Sequence, residues 1–333
     1  MQSEIQTERA STYFFCRQWA RHHTERSFVT RTLAGAASRC SRITICTPQH
    51  PGPPRPDGAF NVLGIGTADD DSWPPASLAS WPTAPAGSLL VVDEVDPSVR
   101  ALIEGHVAEP IFFTVDPGRH PYSTPSEIPL NFVDPEADLN ADFIGMHVPV
   151  NPIAEAHRHN GLGFTDYLLV LSDRTSAGTI TPPTPLVAWL SARFPKADVV
   201  VVEDASAAVW KGRALRGVVT VDSRTDLWRL LAHAQMVIDL APGPVIAREC
   251  IESLRFGVPI VVPVGSTAAV HAGAGGGFTF PGIPGLFACV EQLMDAKVRS
   301  DIASTGRRYA NTTYGDPHRF VERVARVMYG VAV

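Results

Sequence analysis

The sequence has few cysteines and no long apolar run, and each shortage excludes a class of protein. Five cysteines in 333 residues, without a Cys-x-x-Cys pair, do not fit a disulfide framework or a zinc site. The amino-terminal segment has no apolar core of the kind that marks a secretory signal. No stretch approaches the roughly 20 apolar residues that a membrane span needs. These features predict a cytoplasmic protein with reduced thiols.

An excess of positive charge is also missing. The formal net charge is -6, so the chain lacks the basic footprint of a nucleic-acid-binding protein. Local pairs such as Arg307-Arg308 leave open a peripheral contact with phosphate or with an anionic lipid surface. Hydrophobic residues make up 45% of the chain, enough for large cores, and the length suits two domains of about 100–200 residues each.

Short apolar runs alternate with helical patterns along the whole chain. Around 13–16 and 42–46, two predicted strands flank a predicted helix over 28–37, which is the spacing of a strand–helix–strand unit. The second half predicts strands at 167–171, 198–202, 217–221, 236–240 and 260–262, with helices at 185–193, 225–234 and 245–256. Continuous apolar strands between helices indicate parallel sheets covered on both faces. The sequence therefore predicts an α/β protein with two such sheets, one on each side of residue 150.

The domain boundary is predicted where the second series of elements begins. A further strand is predicted over 143–148, and the stretch 149–163 has the proline, histidine and glycine content of a linker. We expect a first domain over 1–150 and a second over 151–316. The helical pattern at the carboxyl terminus is interrupted at Gly315-Asp316-Pro317, and the final helix over 317–330 is expected to pack back on the first domain. Residues 48–58 and 119–141 are interpreted as irregular.

One motif in the second half resembles a known family. The run from Ile251 to Val261 resembles the L-E-A-x-A-x-G-x-P-V-V signature of the retaining GT-B glycosyltransferases of family 4, also called glycosyl transferases group 1. Met146 to Pro152 resembles the h-V-I-P-N-G-V-D pattern that opens that family's second domain. The resemblance is best over 139–265 and weaker in the first half. It implies a GT-B fold, in which two Rossmann-like parallel-sheet domains face a cleft.

The resemblance also implies where a nucleotide-sugar donor binds. The family's motif glutamate, which holds the donor ribose hydroxyls, corresponds to Glu252. The family's arginine after the first strand of the second domain, which contacts the diphosphate, corresponds to Arg174. The helix that carries the glutamate points its amino terminus at the diphosphate, because free N–H groups and the helix dipole favour an anion there. In this chain that end contains Gly243, Val245 and Ile246.

Several positions depart from the family pattern. The family's first motif glutamate is replaced by Pro244, and the lysine that follows its arginine is absent from 175–185. The histidine of the family's T-V-H-D motif is replaced by Asp116. The glycine-rich first loop is absent from 17–27. If the protein is an enzyme, another cation must replace the lysine, and the candidates are Arg174, Arg248 and Lys211.

Each candidate residue also has a structural interpretation. Glu252 could form a salt bridge with Arg248 or Arg255, which lie four residues before and three after it on one helix face. Arg174 could be a loop arginine that pairs with Asp173 or Asp204. Asp116 could act as a base or position the acceptor, but Asp-Pro-Gly is also a preferred turn sequence. The glycine-rich stretch over 273–277 either faces the donor sugar or is an ordinary loop.

The leading hypothesis is a glycosyltransferase of the hexosyltransferase type. The resemblance implies a retaining, metal-independent transfer without a cofactor, from a nucleotide-diphosphate sugar to a glycan, lipid or small-molecule acceptor. The missing motif residues support an alternative, a catalytically degenerate GT-B protein that serves as a binding or assembly module. A third hypothesis is another sugar-nucleotide enzyme of the same architecture, such as an epimerase. Fold alone does not decide between them.

Overall fold

The chain divides into two compact units, Met1–Met146 with Pro317–Val333 and His147–Asp316. A computed structural model describes residues 11–16, 25–48, 52–57, 60–64, 89–92, 111–114, 127–130, 144–150, 167–171, 184–203, 206–211, 214–221, 223–240 and 246–330.

Unit 1 is built on a seven-stranded sheet. Its strands are β1 (Ser11–Phe15), β2 (Arg42–Thr47), β3 (Gly52–Asp57), β4 (Phe60–Gly64), β5 (Leu89–Val92), β6 (Ile111–Thr114) and β7 (Glu127–Pro129). They lie in the order β3-β4-β2-β1-β5-β6-β7, and all neighbours pair in parallel except β3 with β4. Without β3, this is the order 3-2-1-4-5-6 of doubly wound nucleotide-binding domains.

Two helices of unit 1 pack against each other, although almost the whole chain separates them. Helix α1 (Glu25–Ala37) follows β1, and helix α8 (Pro317–Tyr329) is the last element of the chain. Phe320, Val324 and Met328 recur every four residues along α8 and are buried, as expected for one face of a helix. The hydroxyl groups of Tyr329 and Thr12, in β1, lie 3.0 Å apart and join α8 to the centre of the sheet.

Unit 2 contains a second seven-stranded sheet, in which the strands at one edge pair antiparallel. Its strands are β8 (Tyr167–Leu171), β9 (Asp198–Glu203), β10 (Ser206–Lys211), β11 (Ala214–Thr220), β12 (Met236–Asp239), β13 (Ile260–Pro263) and β14 (Gly277–Phe280). They lie in the order β11-β10-β9-β8-β12-β13-β14. The five strands from β9 to β14 pair in parallel, whereas β10 pairs antiparallel with both β9 and β11. The chain order of the parallel strands is 2-1-3-4-5, with the direction of winding reversing beside β8.

The helices of unit 2 are α2 (Thr184–Arg193), α3 (Arg224–His233), α4 (Arg248–Arg255), α5 (Ala268–His271), α6 (Ile283–Met294) and α7 (Ala296–Tyr314). A π-helical turn, Ala272–Gly276, continues α5. The two sheet faces carry separate cores: Leu169 packs with residues of α3 and α4, whereas Leu168 packs with residues of α2 and α6. Strand β8 is thus buried on both faces, which explains its uninterrupted apolar sequence.

The structure confirms the prediction of two parallel-sheet α/β halves and corrects several of its details. The segment over 143–148 was expected to be a strand, but the described residues 144–150 belong to no sheet. The backbone of Val148 instead bonds to helical neighbours, because its N–H donates to the carbonyl of Tyr314 and its carbonyl accepts from Arg255. Strands β3, β7, β10 and β14 lie where the sequence predicts no strand.

Candidate functional site

Two helices of unit 2 begin at the carboxyl edge of its parallel strands. Strand β11 runs in the same direction as β9, because β10 reverses between them, so the end of β11 lies at that edge. Helix α3 follows, with the Ser223 hydroxyl capping it by accepting from the N–H of Asp226. Helix α4 follows β12 at the same edge. Open α/β sheets bind their ligands outside the carboxyl ends of the strands, so this edge is the candidate site.

Four charged side chains link the first turns of α3 and α4. The Glu252 carboxylate is fully buried and accepts hydrogen bonds at Oε1 from Nε of Arg248 (2.9 Å) and from Nε of Arg224 (3.1 Å). Its Oε2 accepts from Nη2 of Arg224. Nη1 of Arg224 donates to Oε1 of Glu249 at 2.7 Å. Two guanidinium groups and two carboxylates therefore form one network, called here the arginine–glutamate cluster (Arg224, Arg248, Glu249 and Glu252).

The cluster holds the two arginines in fixed positions at the edge of the sheet. Arg224 is clamped at three of its five N–H donors by two carboxylates on α4. Burial lowers the pKa of Arg224, but the charges of Glu252 and Glu249 outweigh burial and the pKa is raised. Side-chain exposure is 24% for Arg224 and 11% for Arg248, against 0% for Glu252. The Glu249 side chain is 15% exposed, so the cluster presents mainly the Arg224 side chain, with Glu249 and Arg248 less exposed and the Glu252 carboxylate beneath them.

A buried histidine fixes the residue that precedes this cluster. His271, at the end of α5, is fully buried, with Nε2 2.9 Å from the carbonyl oxygen of Ile246 and Nδ1 3.1 Å from the hydroxyl of Tyr309. Since a carbonyl only accepts, Nε2 carries the proton and Nδ1 accepts from the tyrosine. Burial lowers the pKa of His271 to about 4, while the bond to the Ile246 carbonyl acts in the opposite direction.

The residue between that carbonyl and α4 has an unusual backbone. Ala247 lies in the left-handed region (φ 53°, ψ 54°), and within the described part of the chain no other non-glycine residue has a positive φ. That conformation costs an L-residue roughly 1–2 kcal/mol. The sequence predicts a helix from residue 245, but α4 begins at Arg248 because Ala247 is not helical.

The structure describes only part of the predicted donor site. Ile246, Arg248 and Glu252 lie at the carboxyl edge of the sheet, and Glu252 pairs with Arg248, which was one of the two structural alternatives. The other alternative is not observed, because Arg255 donates to Oδ1 of Asn311 (3.1 Å) and to the Val148 carbonyl. Four predicted site residues lie outside the described residues: Asp116, Arg174, Gly243 and Val245.

Lys211 lies at the opposite edge of the sheet, where the parallel strands begin. It ends β10, which runs antiparallel to β9, and its neighbour Trp210 pairs with Val199 near the start of β9. Lys211 therefore sits at the amino edge of the parallel strands, opposite the starts of α3 and α4. The suggestion that Lys211 folds over a ligand does not fit this placement. The antiparallel β10, which brings Lys211 to the amino edge, was not predicted.

The glycine-rich stretch is a close packing junction. A Cβ on Gly277 would lie 1.8 Å from the carbonyl oxygen of Ile260, in the neighbouring strand β13. A Cβ on Gly276 would lie 2.7 Å from the Leu254 side chain, and one on Gly306, in α7, would lie 2.9 Å from the Gly276 Cα. These approaches between β13, β14, α4 and α7 account for Gly276 and Gly277 without a ligand.

Sequence reasoning missed the two residues that organise the site. Arg224 is 28 positions from Glu252, so no helix-spacing rule connects them. His271 follows an apolar strand and carries no motif. Within the described residues, no group of three or more His, Cys, Asp or Glu could hold a metal ion. Among the same described residues, no helix is both long enough and apolar enough to span a bilayer.

Both sheets have the strand order of doubly wound domains, and solved structures of the GT-B fold match the chain over nearly its whole length, which defines its class of fold as GT-B. No protein-family model and no curated protein matches it. A sucrose-phosphate synthase from Thermosynechococcus elongatus has a TM-score of 0.62 at 9% identity, covering 97% of this chain and 99% of its own. Anabaena Alr3699/HepE, solved with UDP-glucose, has a TM-score of 0.58 at 12% identity, and the match covers 96% of this chain and 100% of HepE. WaaG, a glycosyltransferase of lipopolysaccharide biosynthesis, has a TM-score of 0.54 at 11% identity, and the match covers 94% of this chain and 99% of WaaG.

Proposed function

We propose that this protein is a glycosyltransferase that binds a nucleotide-diphosphate sugar on unit 2, at the carboxyl edge of its sheet. The observation that carries the proposal is the arginine–glutamate cluster, which holds two guanidinium groups at the ligand-binding edge of a GT-B fold. Guanidinium groups match the geometry of phosphate oxygens and stay charged at all physiological pH values. The relative HepE, solved with UDP-glucose, makes uridine diphosphate the first ligand to test.

In the proposed reaction, unit 2 stabilises the negative charge of the departing diphosphate. Arg224 and Arg248 supply guanidinium N–H donors, although Glu249 and Glu252 balance their charge. Arg174, three residues beyond the end of β8, is proposed to add positive charge. N–H groups of Gly243, Val245 and Ile246, before α4, complete the site as in the resembled family. Donors that are fixed before the reaction favour the transition state, because they need not reorganise as charge develops. We further propose that transfer retains the anomeric configuration and needs no metal ion.

Glu252 has a different role in this proposal from the one the resemblance implies. Its carboxylate is fully buried and already accepts three hydrogen bonds from two arginines. A carboxylate has about four acceptor positions, so little capacity is left for ribose hydroxyls. We therefore propose that Glu252 positions Arg224 and Arg248. The acceptor, a glycan, lipid or small molecule, is assigned to unit 1, where Asp116 is the proposed acceptor-side residue.

A second candidate is a GT-B protein that binds ligands or partners without catalysis. Pro244 replaces the first motif glutamate of the resembled family, and residues 175–185, where the family has a lysine, contain none. These two candidates, and the epimerase hypothesis, differ in turnover. An active transferase should release uridine diphosphate from UDP-glucose or a related donor and form a glycosylated product. A degenerate protein should bind the donor and leave it intact, and an epimerase should return an altered sugar on the same nucleotide.

The proposed donor site is tested by calorimetric titration of uridine diphosphate into the wild type and Arg174→Ala. We expect the substitution to weaken binding by about 1.5–3 kcal/mol, the contribution of a hydrogen bond to a charged group. Uridine binding should change much less. Arg193→Ala is the control, because this arginine of α2 is 61% exposed and pairs with Glu291. If Arg174→Ala binds as the wild type does, the assignment of Arg174 is wrong.

A further inference from the structure

His271 connects three parts of unit 2 that the proposed donor site does not itself link. Its imidazole lies at the end of α5, after β13, and bonds to the carbonyl of Ile246, directly before α4. On its other side it bonds to Tyr309 of α7, whose hydroxyl lies 3.3 Å from that of Tyr314. The Tyr314 ring packs edge-on against the imidazole, with centroids 5.5 Å apart. This set of residues is called here the histidine clamp (His271, Tyr309 and Tyr314).

The clamp acts on the backbone at the point where the position of Arg248 is decided. The Ile246 carbonyl belongs to the peptide that joins Ile246 to Ala247, and Ala247 has the left-handed conformation. Rotating that peptide would change the direction in which the side chain of Arg248, the residue after Ala247, points away from the backbone. Strained backbone persists where its surroundings over-determine it, and it concentrates at functional sites. A hydrogen bond from a fully buried ring is well suited to hold such a peptide in one orientation.

We propose that His271 is a positioning residue of the donor site. By fixing the Ile246–Ala247 peptide it sets the start of α4, and so places Arg248 and the cluster that joins Arg248 to Glu252 and Arg224. His271 itself does not touch the ligand in this arrangement. The proposal rests on the proposed function, because the cluster must bind a diphosphate for its position to affect binding. A histidine that only filled the core would stabilise unit 2 without distinguishing one part of a ligand from another.

Two substitutions separate positioning from packing. His271→Leu fills a similar space but removes both hydrogen bonds. His271→Gln keeps an N–H that can donate to the Ile246 carbonyl and an oxygen that can accept from Tyr309. Each variant is titrated with uridine diphosphate and with uridine, at a temperature where circular dichroism shows that it is folded.

We expect His271→Leu to raise the Kd for uridine diphosphate about tenfold, as for one well-placed hydrogen bond, and that for uridine less than about twofold. His271→Gln should restore binding of the diphosphate to within about threefold of the wild type. If His271→Leu does not fold, Tyr309→Phe provides the test, because it removes the hydroxyl that orients the imidazole. It should weaken binding of the diphosphate and leave that of uridine unchanged.

The outcomes distinguish this proposal from the proposed function. If a folded variant loses affinity for uridine diphosphate and uridine to the same extent, or for neither, His271 is a packing residue and the proposal is overturned while the donor site stands. If His271→Gln binds uridine diphosphate as weakly as His271→Leu does, the hydrogen bonds of His271 are not what positions the site. If the wild type binds no nucleoside diphosphate, the proposed function fails and the positioning role fails with it.

Discussion

Replacing Glu252 with alanine should lower the free energy of unfolding by about 3–5 kcal/mol, because the substitution removes the buried partner of two guanidinium groups. Glu252 is fully buried and accepts from both Arg224 and Arg248. Their side chains are only 24% and 11% exposed, so water can replace the carboxylate only in part. Urea denaturation followed by circular dichroism measures the change.

Another arginine–glutamate pair in unit 2 provides a matched control. Arg193 and Glu291 are joined by an Nε to Oε1 contact of 2.9 Å, the same length as that between Arg248 and Glu252. Their side chains are 61% and 46% exposed, so water screens the charges and replaces the lost partner. Glu291→Ala should therefore cost less than about 1 kcal/mol. Equal losses for the two variants would mean that burial of the cluster does not determine its contribution.

Acidification should destabilise the protein through His271, by up to about 3 kcal/mol between pH 7 and pH 4. The pKa of His271 is lowered to about 4 in the folded protein, against an ordinary value near 6.5. The stabilisation is complete above pH 6.5, where the ring is neutral in both states. As the pH falls from 6.5 to 4, the unfolded chain takes up a proton that the folded chain excludes, so folding becomes less favourable. Below pH 4 both states are protonated, and this group causes no further loss.

The measurement compares urea denaturation at pH 7 and pH 4.5 for the wild type and His271→Gln. The groups that face the ring are the Tyr309 hydroxyl and the Tyr314 ring, and neither is a carboxylate or a cation. The glutamine variant should lose most of the His271 contribution to the pH dependence. A wild-type pH dependence in His271→Gln would show that the ring is not held neutral by burial.

The parts of the fold that were predicted correctly are those where local pattern and tertiary context agree. Strand β8 is apolar throughout because both of its faces are covered, and such a run indicates a strand in a parallel sheet. Strand β14 was missed because it begins at Gly277, where the approach of Ile260 requires a residue without a side chain. The glycine-rich stretch over 273–277 that runs into it has the composition of a loop, and only three further residues belong to the strand.

The candidate site shows the same contrast between contacts that local spacing predicts and contacts that only the tertiary fold creates. Glu252 was identified through its resemblance to the family motif, and its contact with Arg248 was among the expected alternatives because the two lie four residues apart on one helix. Arg224 and His271 reach the site from other elements, and only the order of strands in the sheet brings them together. The left-handed Ala247 was equally hidden, because an alanine between Ile246 and Arg248 favours continuation of the helix.

Hydrogen–deuterium exchange with and without uridine diphosphate tests the central claim most directly, because it detects binding and locates it. At millimolar ligand, peptides that cover the start of α3 and the segment from Ile246 through α4 should exchange more slowly. Uridine, which lacks the diphosphate, should protect these peptides less. Protection confined to peptides of unit 1, or no protection anywhere at millimolar uridine, guanosine, adenosine or thymidine diphosphate, would contradict a donor site on the carboxyl edge of unit 2.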